Sequence, residues 1–201
     1  MNEMRDVNNP VARINRRGLL RLASACALAC SVLDVAAAAA PTGWVSPRLP
    51  APPLRIALAD GQTSALASAM TNKITAVQLM FTGCSSSCPP QGALFAAVAE
   101  RLTRADVQLL SVSIDSLGDT PSKVAAWQGR FGHHAGWRTA VADVKDVDRL
   151  TDFMKGQAAK AGTHTSQVFV FDRQGRLSYR TGDAPSAREV HALMTHVAQS
   201  G

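Results

Sequence analysis

Apolar and polar residues along the chain follow two periods, the alternation of strands and the three-to-four spacing of helix faces. Two continuous apolar runs, residues 74–81 and 107–115, predict buried strands. Residues 91–102 between them predict an amphipathic helix, with apolar positions at Leu94, Phe95, Val98 and Leu102. Two strands joined by a helix favour a parallel pair.

Two segments carry the pattern of antiparallel hairpins, in which apolar alternation flanks a glycine-containing turn. Residues 54–66 alternate about Asp60-Gly61. Residues 166–180 alternate about a turn at 172–175. We therefore expect one hairpin before the first buried strand and another near the end of the chain.

Three further helices are predicted, over residues 119–131, 146–157 and 185–199. The first has Thr120 as its N-cap and a proline in its first turn, and the last has serine and glutamate at capping-box spacing. The order strand, helix, strand, two helices, hairpin and helix predicts an α/β fold. Its central sheet is mixed, with flanking helices and an N-terminal hairpin.

Composition divides the chain into three parts. Residues 54–201 have the patterning of one folded domain, with no internal repeat. Residues 41–53 are rich in proline and predict an extended arm or tether. Residues 1–40 are typical of an export signal.

The export signal combines a basic segment, residues 13–21, with an apolar stretch over residues 22–33. Twelve apolar residues are fewer than the roughly 20 that a spanning helix needs. Arg16-Arg17 resembles the twin-arginine signal that exports folded proteins, and an ordinary secretory signal is the alternative. Small residues before Pro41 offer cleavage sites.

Two other fates of this segment stay open. The chain could receive a lipid at Cys30, or keep the segment as an uncleaved anchor, in which Asp34 would be poorly placed. Each alternative predicts an exported, periplasmic domain that is free, lipid-anchored or tethered to the membrane.

Composition and charge narrow the class of partner. The chain is 46% hydrophobic and 18% charged, which is typical of a globular protein with a substantial core. Its net charge is +6, but the basic residues are scattered and aromatic residues make up only 5%. This pattern argues against nucleic-acid binding and supports at most a mild attraction to acidic protein surfaces.

The chain has four cysteines, and their positions separate them into two pairs. Cys26 and Cys30 lie within the predicted export signal. The folded domain therefore keeps Cys84 and Cys88, which are natural partners for each other in an oxidising compartment.

Cys84 and Cys88 lie four residues apart where a strand meets a helix, in the sequence CSSSCPP. This spacing puts both side chains on one face of a helical turn, where the helix dipole lowers thiol pKa values. We expect a pair of exposed, activated thiols that form a disulfide, exchange disulfides or bind a metal. Two thiolates with an imidazole suit Cu(I) and can hold Cu(II), whereas zinc usually requires a fourth ligand.

Five histidines could supply the imidazole. His133 and His134 lie in a loop, and His191 and His196 lie five apart on the last helix, off a common face. His164 lies in a loop just before an apolar strand. From the pattern alone, each is most simply an ordinary loop or surface residue.

Three blocks, residues 79–91, 109–132 and 163–177, together resemble the Sco/SenC family. The resemblance implies a thioredoxin-like fold with an inserted hairpin. It also implies copper binding by two motif cysteines and a distal histidine in a loop before a late strand. Proteins of this family serve the copper site of cytochrome c oxidase subunit II, as copper chaperones, thiol reductants or both.

By position, the resemblance assigns the copper ligands to Cys84, Cys88 and His164. Asp115 matches an acidic residue that ends the second strand of the family pattern, where it either tunes the site or caps a loop. Many members have proline and acidic residues between the cysteines, where this chain has serines 85–87. Many also have aspartate before the histidine, where this chain has Thr163. We expect these changes to weaken the support for Cu(II).

Three functions therefore remain open at the sequence level. The first is reversible copper loading for cytochrome c oxidase subunit II or another periplasmic copper protein. The second is copper-independent thiol–disulfide exchange by Cys84 and Cys88, and the third is a structural disulfide. Copper binding that depends on His164 would separate the first from the others.

Overall fold

The structure is a computed structural model that describes residues 42–154 and 165–200. The strands are β1 Gly43–Pro50, β2 Arg55–Leu58, β3 Thr63–Ala65, β4 Ile74–Met80, β5 Val107–Ser113, β6 Trp137–Ala142, β7 Phe169–Phe171 and β8 Arg176–Arg180. The helices are α1 Leu66–Met70, α2 Cys88–Ala99, α3 Pro121–Gly129, α4 Val147–Met154 and α5 Ala187–Gln199.

The strands of the described residues form one mixed sheet in the order β1-β8-β7-β4-β5-β6-β2-β3. Strands β4, β5 and β6 are parallel neighbours at its centre. Strand β7 runs antiparallel to β4, and β2 runs antiparallel to β6. The predicted α/β fold with a mixed sheet and flanking helices is confirmed.

Helices cover both faces of this sheet. On one face, α2, α3 and α5 contribute Phe95, Trp127 and Met194 to a buried cluster. On the other face, α1 and α4 contribute Met70 and Leu150. Successive side chains of a strand point to opposite faces of the sheet. Because helices cover both faces, β4 and β5 are buried along their whole length, as their continuous apolar runs predict.

The predicted turns and caps are confirmed. Strands β2 and β3 form the N-terminal hairpin, and Gly61 in its turn has a positive φ of 82°. Strands β7 and β8 form the second hairpin. The Thr120 and Ser186 side chains cap α3 and α5 by accepting backbone hydrogen bonds from Lys123 and Glu189.

Two strands lie where the pattern does not predict them. Strand β6 is interrupted in its apolar pattern by Arg138 and Thr139, yet it pairs in parallel with β5. Residues 41–53 are predicted to form an extended arm, but Gly43–Pro50 is strand β1 and pairs with β8. Its prolines are tolerated because β1 lies at the edge of the sheet.

Residues 1–40, which include the predicted export signal, lie outside the described residues. Within the described ranges, no helix has the length and apolar character needed to cross a membrane.

Candidate metal and thiol site

The site begins where β4 ends at the C-terminal edge of the parallel strands. A short loop follows Met80, and Cys84 lies in it. Cys88 is the first residue of α2, and two prolines follow it in the first turn, where missing N–H groups cost little. The strand-to-helix junction that the pattern predicts is therefore present, with one cysteine before the helix and one at its start.

Cys84 accepts hydrogen bonds at its sulfur. The backbone N–H of Cys88 donates to the Cys84 Sγ at 3.3 Å. The hydroxyl groups of Ser86 and Ser87 lie 3.7 and 3.6 Å from the same atom. Burial by itself would raise the pKa of Cys84, but hydrogen bonds from the backbone and thiol of Cys88, from the Ser87 hydroxyl and from the Ser86 backbone outweigh burial and lower the pKa to about 5. Cys84 is therefore a thiolate at neutral pH.

Cys88 has the opposite acidity. Its side chain is fully buried in the cluster that includes Phe95 and Val98. Burial raises the pKa of the Cys88 thiol well above its usual range and outweighs a backbone hydrogen bond at Phe81 that lowers it. The hydrogen bond with Cys84 and the negative charges of Cys84 and Asp119 raise the pKa further. Cys88 is therefore a thiol beside a thiolate.

The sequence predicts that both thiols are exposed and activated, and this prediction is wrong. Cys84 is 8% exposed and Cys88 is 0% exposed, because the first turn of α2 packs against the core. No disulfide joins the two cysteines. Only Cys84 is activated, because hydrogen bonds outweigh burial at its sulfur, whereas burial dominates at the sulfur of Cys88.

Asp119 orders the loop that leads to Cys84, a role that the sequence analysis missed. Its carboxylate, in a residue that is 6% exposed, accepts hydrogen bonds from Ser113 Oγ at 2.6 Å and from Thr82 N at 2.9 Å. The hydroxyl of Thr82 also donates to it. Its position after a strand at the C-terminal edge of a parallel sheet could have identified it from sequence.

Asp115, the acidic residue selected from the family resemblance, caps a turn. Its carboxylate accepts a hydrogen bond from Gly118 N at 2.8 Å, and its carbonyl accepts one from Asp119 N. A side chain at Gly118 would collide with this carboxylate, since a Cβ there would meet Asp115 Oδ2. A role of Asp115 toward a metal stays a prediction.

His164 lies outside the described residues, but the residue after it is described. Gln91 on α2 donates from Nε2 to the Thr165 carbonyl at 3.5 Å. The antiparallel register of β7 on β4 pairs residue 169 with residue 77. The chain next to His164 therefore lies at the edge where Cys84 and Cys88 lie.

The other histidines have contacts elsewhere. The ring of His134 stacks on Trp137, with centroids 6.3 Å apart. The ring of His196 lies 5.0 Å from that of Trp44 on β1. Within residues 42–154 and 165–200, no three His, Cys, Asp or Glu side chains come together as a metal-binding group.

The donor set of this edge suits a soft monovalent metal. A thiolate and a thiol on one turn supply two sulfur ligands once Cys88 releases its proton. Such a pair needs a further donor from another segment, and Thr165 of the chain that leads into β7 contacts the cysteine helix α2 at Gln91. The same pair also suits disulfide exchange, because a thiolate attacks and a neighbouring thiol completes the reaction.

A comparison with protein-family models gives one family for the chain. Residues 57–199 match the family model described as SCO1/SenC. A search of curated proteins finds no match.

Solved structures show the same fold. A SCO1/SenC family lipoprotein from Bacillus anthracis str. Ames is 20% identical, with a TM-score of 0.64 over 75% of this chain and 96% of that one. Bradyrhizobium japonicum ScoI with copper bound is 17% identical, with a TM-score of 0.61 over 74% and 99%. BsSco is 16% identical, with a TM-score of 0.62 over 75% and 94%. BsSco is described as having a disulfide switch and as a member of the Sco family of cytochrome c oxidase assembly proteins.

Proposed function

Because the chain belongs to the SCO1/SenC family, we propose that it is an exported copper-binding protein that serves the assembly of a respiratory copper centre. The observation that carries the proposal is the pair of unlike sulfurs at the start of α2. Cys84 offers a thiolate, and Cys88 offers a second sulfur four residues later. The delivered copper is the cargo of the protein, and cytochrome c oxidase subunit II is the partner that the family resemblance implies.

In this proposal Cys84, Cys88 and His164 bind the copper ion. Cys84 binds first because its sulfur is already charged, and Cys88 loses its proton as it joins. His164 supplies the third ligand from the segment that precedes Thr165. Serines 85–87 contribute no charge, so the ligand set is suited to Cu(I) more than to Cu(II).

The unequal acidity of the cysteines also favours a second function, thiol–disulfide exchange. The Cys84 thiolate would attack one sulfur of a partner's disulfide, forming a mixed disulfide and releasing the partner's other sulfur as a thiolate. Cys88 would then lose its proton and attack the Cys84 sulfur. That step releases the partner with both thiols reduced and leaves a Cys84–Cys88 disulfide.

The proposal also includes export of the protein to the periplasm. The basic and apolar segments of residues 1–40 favour passage to the periplasm, by the twin-arginine route or by an ordinary secretory route. A lipid or membrane tether stays among the alternatives. The scattered basic residues suit an acidic protein surface better than a nucleic acid.

Anaerobic copper titration of the reduced protein tests the proposal. We expect one Cu(I) per chain in the wild type and weaker binding in His164→Ala. The matched control is His134→Ala, which removes a histidine whose ring packs on Trp137. If the wild type binds no stoichiometric copper, the copper function is excluded and disulfide exchange becomes the leading function.

A further inference from the structure

A groove opens beside the cysteine loop, at the carboxyl ends of β5 and β6. It has a volume of about 400 Å³ and is lined by the hairpin β2–β3 and by the loops that follow β5 and β6. Asp119 also lines it, and the carboxylate of Asp119 accepts the N–H of Thr82, two residues before Cys84, at 2.9 Å. In α/β proteins, ligands bind at this edge of the sheet. The groove is therefore joined to the cysteine loop through a single side chain.

Two exposed apolar side chains lie at the groove. Leu117, in the loop after β5, is 90% exposed, and Val144, in the loop after β6, is 55% exposed. In the part of the chain that the structure describes, the other large apolar side chains with high exposure are Trp44 and Leu49, and both belong to β1 at the far end of the sheet. The groove therefore offers apolar surface that a partner's apolar side chain can cover.

The charge of the groove favours an acidic group. Arg55 on β2 lines the groove, is exposed, and forms no ion pair with any residue of 42–154 or 165–200. The two carboxylates that line the groove accept backbone hydrogen bonds of this chain, Asp119 from Thr82 and Asp143 from Lys145 at 3.1 Å. Arg55 is therefore the charged group of the groove that suits a carboxylate from outside.

The groove lies on the β6–β2–β3 side of the sheet, within the continuous range 42–154. The chain that ends at 154 and resumes at 165 lies on the other side of β4. The Met154 carbonyl accepts a hydrogen bond from Arg180 of β8, and Thr165 leads into β7. The groups that form the groove therefore belong to a part of the fold that is described throughout.

We propose that this groove binds a segment of the partner protein that combines an acidic residue with an apolar one. The apolar side chain packs against Leu117 and Val144, and the carboxylate pairs with Arg55. Together these contacts hold the partner beside the cysteine loop. The inference rests on the proposed function, since copper transfer and disulfide exchange both require the partner to reach Cys84. It adds the surface that selects the partner.

Reduction of two model disulfide peptides tests this role. Each peptide carries two cysteines in a disulfide, flanked by glutamate and leucine in the acidic–apolar peptide and by lysine and serine in the basic–polar peptide. The groove variants are Leu117→Ser and Arg55→Gln. The matched controls are Leu49→Ser on β1 and Arg101→Gln after α2, which change an exposed leucine and an exposed arginine elsewhere. Dithiodipyridine, a small neutral disulfide, measures the reactivity of Cys84 without docking.

We expect the reduced wild type to reduce the acidic–apolar peptide about fivefold to tenfold faster than the basic–polar peptide. Leu117→Ser should slow the reaction with the acidic–apolar peptide by about threefold to tenfold, because its apolar contact is lost. Arg55→Gln should slow it by about twofold to fivefold at low salt and by less at high salt. The control variants should react as the wild type does, and every variant should reduce dithiodipyridine at the wild-type rate.

Nuclear magnetic resonance locates the contact, with an acidic–apolar peptide in which serines replace the cysteines. We expect this peptide to shift the amide signals of residues 55–57, 116–120 and 141–144 in the wild type, and to shift them less in Leu117→Ser. Because this peptide cannot exchange disulfides, the shifts report docking even if the thiols do not react.

Either of two results would overturn the inference. Equal rates with the two peptides, or no shift at the groove, would remove the docking role and leave the proposed function intact as long as dithiodipyridine is reduced. If dithiodipyridine is not reduced, thiol exchange is excluded, and the amide shifts alone decide the role of the groove. Shifts at the groove that depend on protein concentration without peptide would assign it to a second copy of the chain, which also contradicts the inference.

Discussion

At the scale of single residues, the two cysteines differ because different groups surround their sulfur atoms. Cys84 receives an N–H from the backbone at the start of α2, while Cys88 lies in the apolar cluster behind it. The C-x-x-x-C spacing predicts the pair and its place between strand and helix. It cannot predict which sulfur is charged, because that depends on tertiary burial and on backbone donors.

The lowered pKa of Cys84 predicts selective alkylation. The rate of iodoacetamide attack on the reduced protein should follow the thiolate fraction and rise with a midpoint near pH 5. Peptide mapping should locate the label on Cys84, with Cys88 unmodified at neutral pH. A midpoint near the usual thiol value of about 8.5, or equal labelling of the two, would contradict this assignment.

The contacts of Asp119 predict two separate effects: its hydrogen bonds stabilise the fold, and its negative charge raises the pKa of Cys88. Asp119→Ala leaves the Thr82 N–H and the Ser113 hydroxyl without their acceptor, and should lower the free energy of unfolding by about 2 kcal/mol. Asp119→Asn keeps an acceptor and should lose less stability. It should also lower the pKa of Cys88, because a negative charge near that thiol is removed.

Urea unfolding and the pH dependence of Cys88 alkylation measure these two effects. Wild-type stability in Asp119→Ala would show that the loop before Cys84 does not depend on this carboxylate. An unchanged Cys88 pKa in Asp119→Asn would show that the charge of Asp119 does not reach the thiol.

At the scale of helices and strands, apolar runs and capping residues predict those elements whose local sequence pattern matches their burial and pairing in the fold. Strands β4 and β5 and the cap of α3 at Thr120 are examples. Strand β6 escapes prediction because Arg138 and Thr139 break its apolar run, and its identity depends on pairing with β5. Strand β1 escapes because its prolines are typical of a tether, and only an edge position accommodates them.

The edge strand β1 depends on the buried carboxylate of Asp172. This group accepts hydrogen bonds from Arg48 of β1 at 3.1 Å and from Arg176 of β8 at 2.8 Å. Burial would raise the pKa of Asp172, but hydrogen bonds from Arg176 and Arg48 outweigh it and lower the pKa. A lowered carboxyl pKa stabilises the fold above the unfolded value of about 3.9, and this stabilisation is lost as pH falls through the folded value.

Asp172→Asn should therefore lower the free energy of unfolding at pH 7 by about 2 to 4 kcal/mol, since it leaves guanidinium groups without their carboxylate. The difference from wild type should narrow below about pH 4, where the wild-type carboxyl loses its advantage. Chemical denaturation at pH 7 and pH 3 measures it. A difference that is equal at both pH values would contradict the electrostatic account.

At the scale of the whole molecule, sheet topology gathers the site from distant parts of the sequence. Strands β4 and β5 are parallel, so the cysteine loop and Asp119 lie at the same edge. Strand β7 is antiparallel to β4, so the chain that enters it at Thr165 comes from the side of that edge and contacts α2. The resemblance to the Sco/SenC family predicts the copper ligands, whereas the hydrogen bonds that Asp119 accepts from Thr82 in the cysteine loop emerge only from the packed structure.

X-ray absorption at the copper edge of the singly loaded protein tests the central claim most directly. We predict two sulfur ligands and one imidazole nitrogen in the wild type, with loss of the imidazole in His164→Ala and of one sulfur in Cys88→Ser. A copper ion with fewer than two sulfur ligands in the wild type, or an imidazole that persists in His164→Ala, would contradict binding by Cys84, Cys88 and His164.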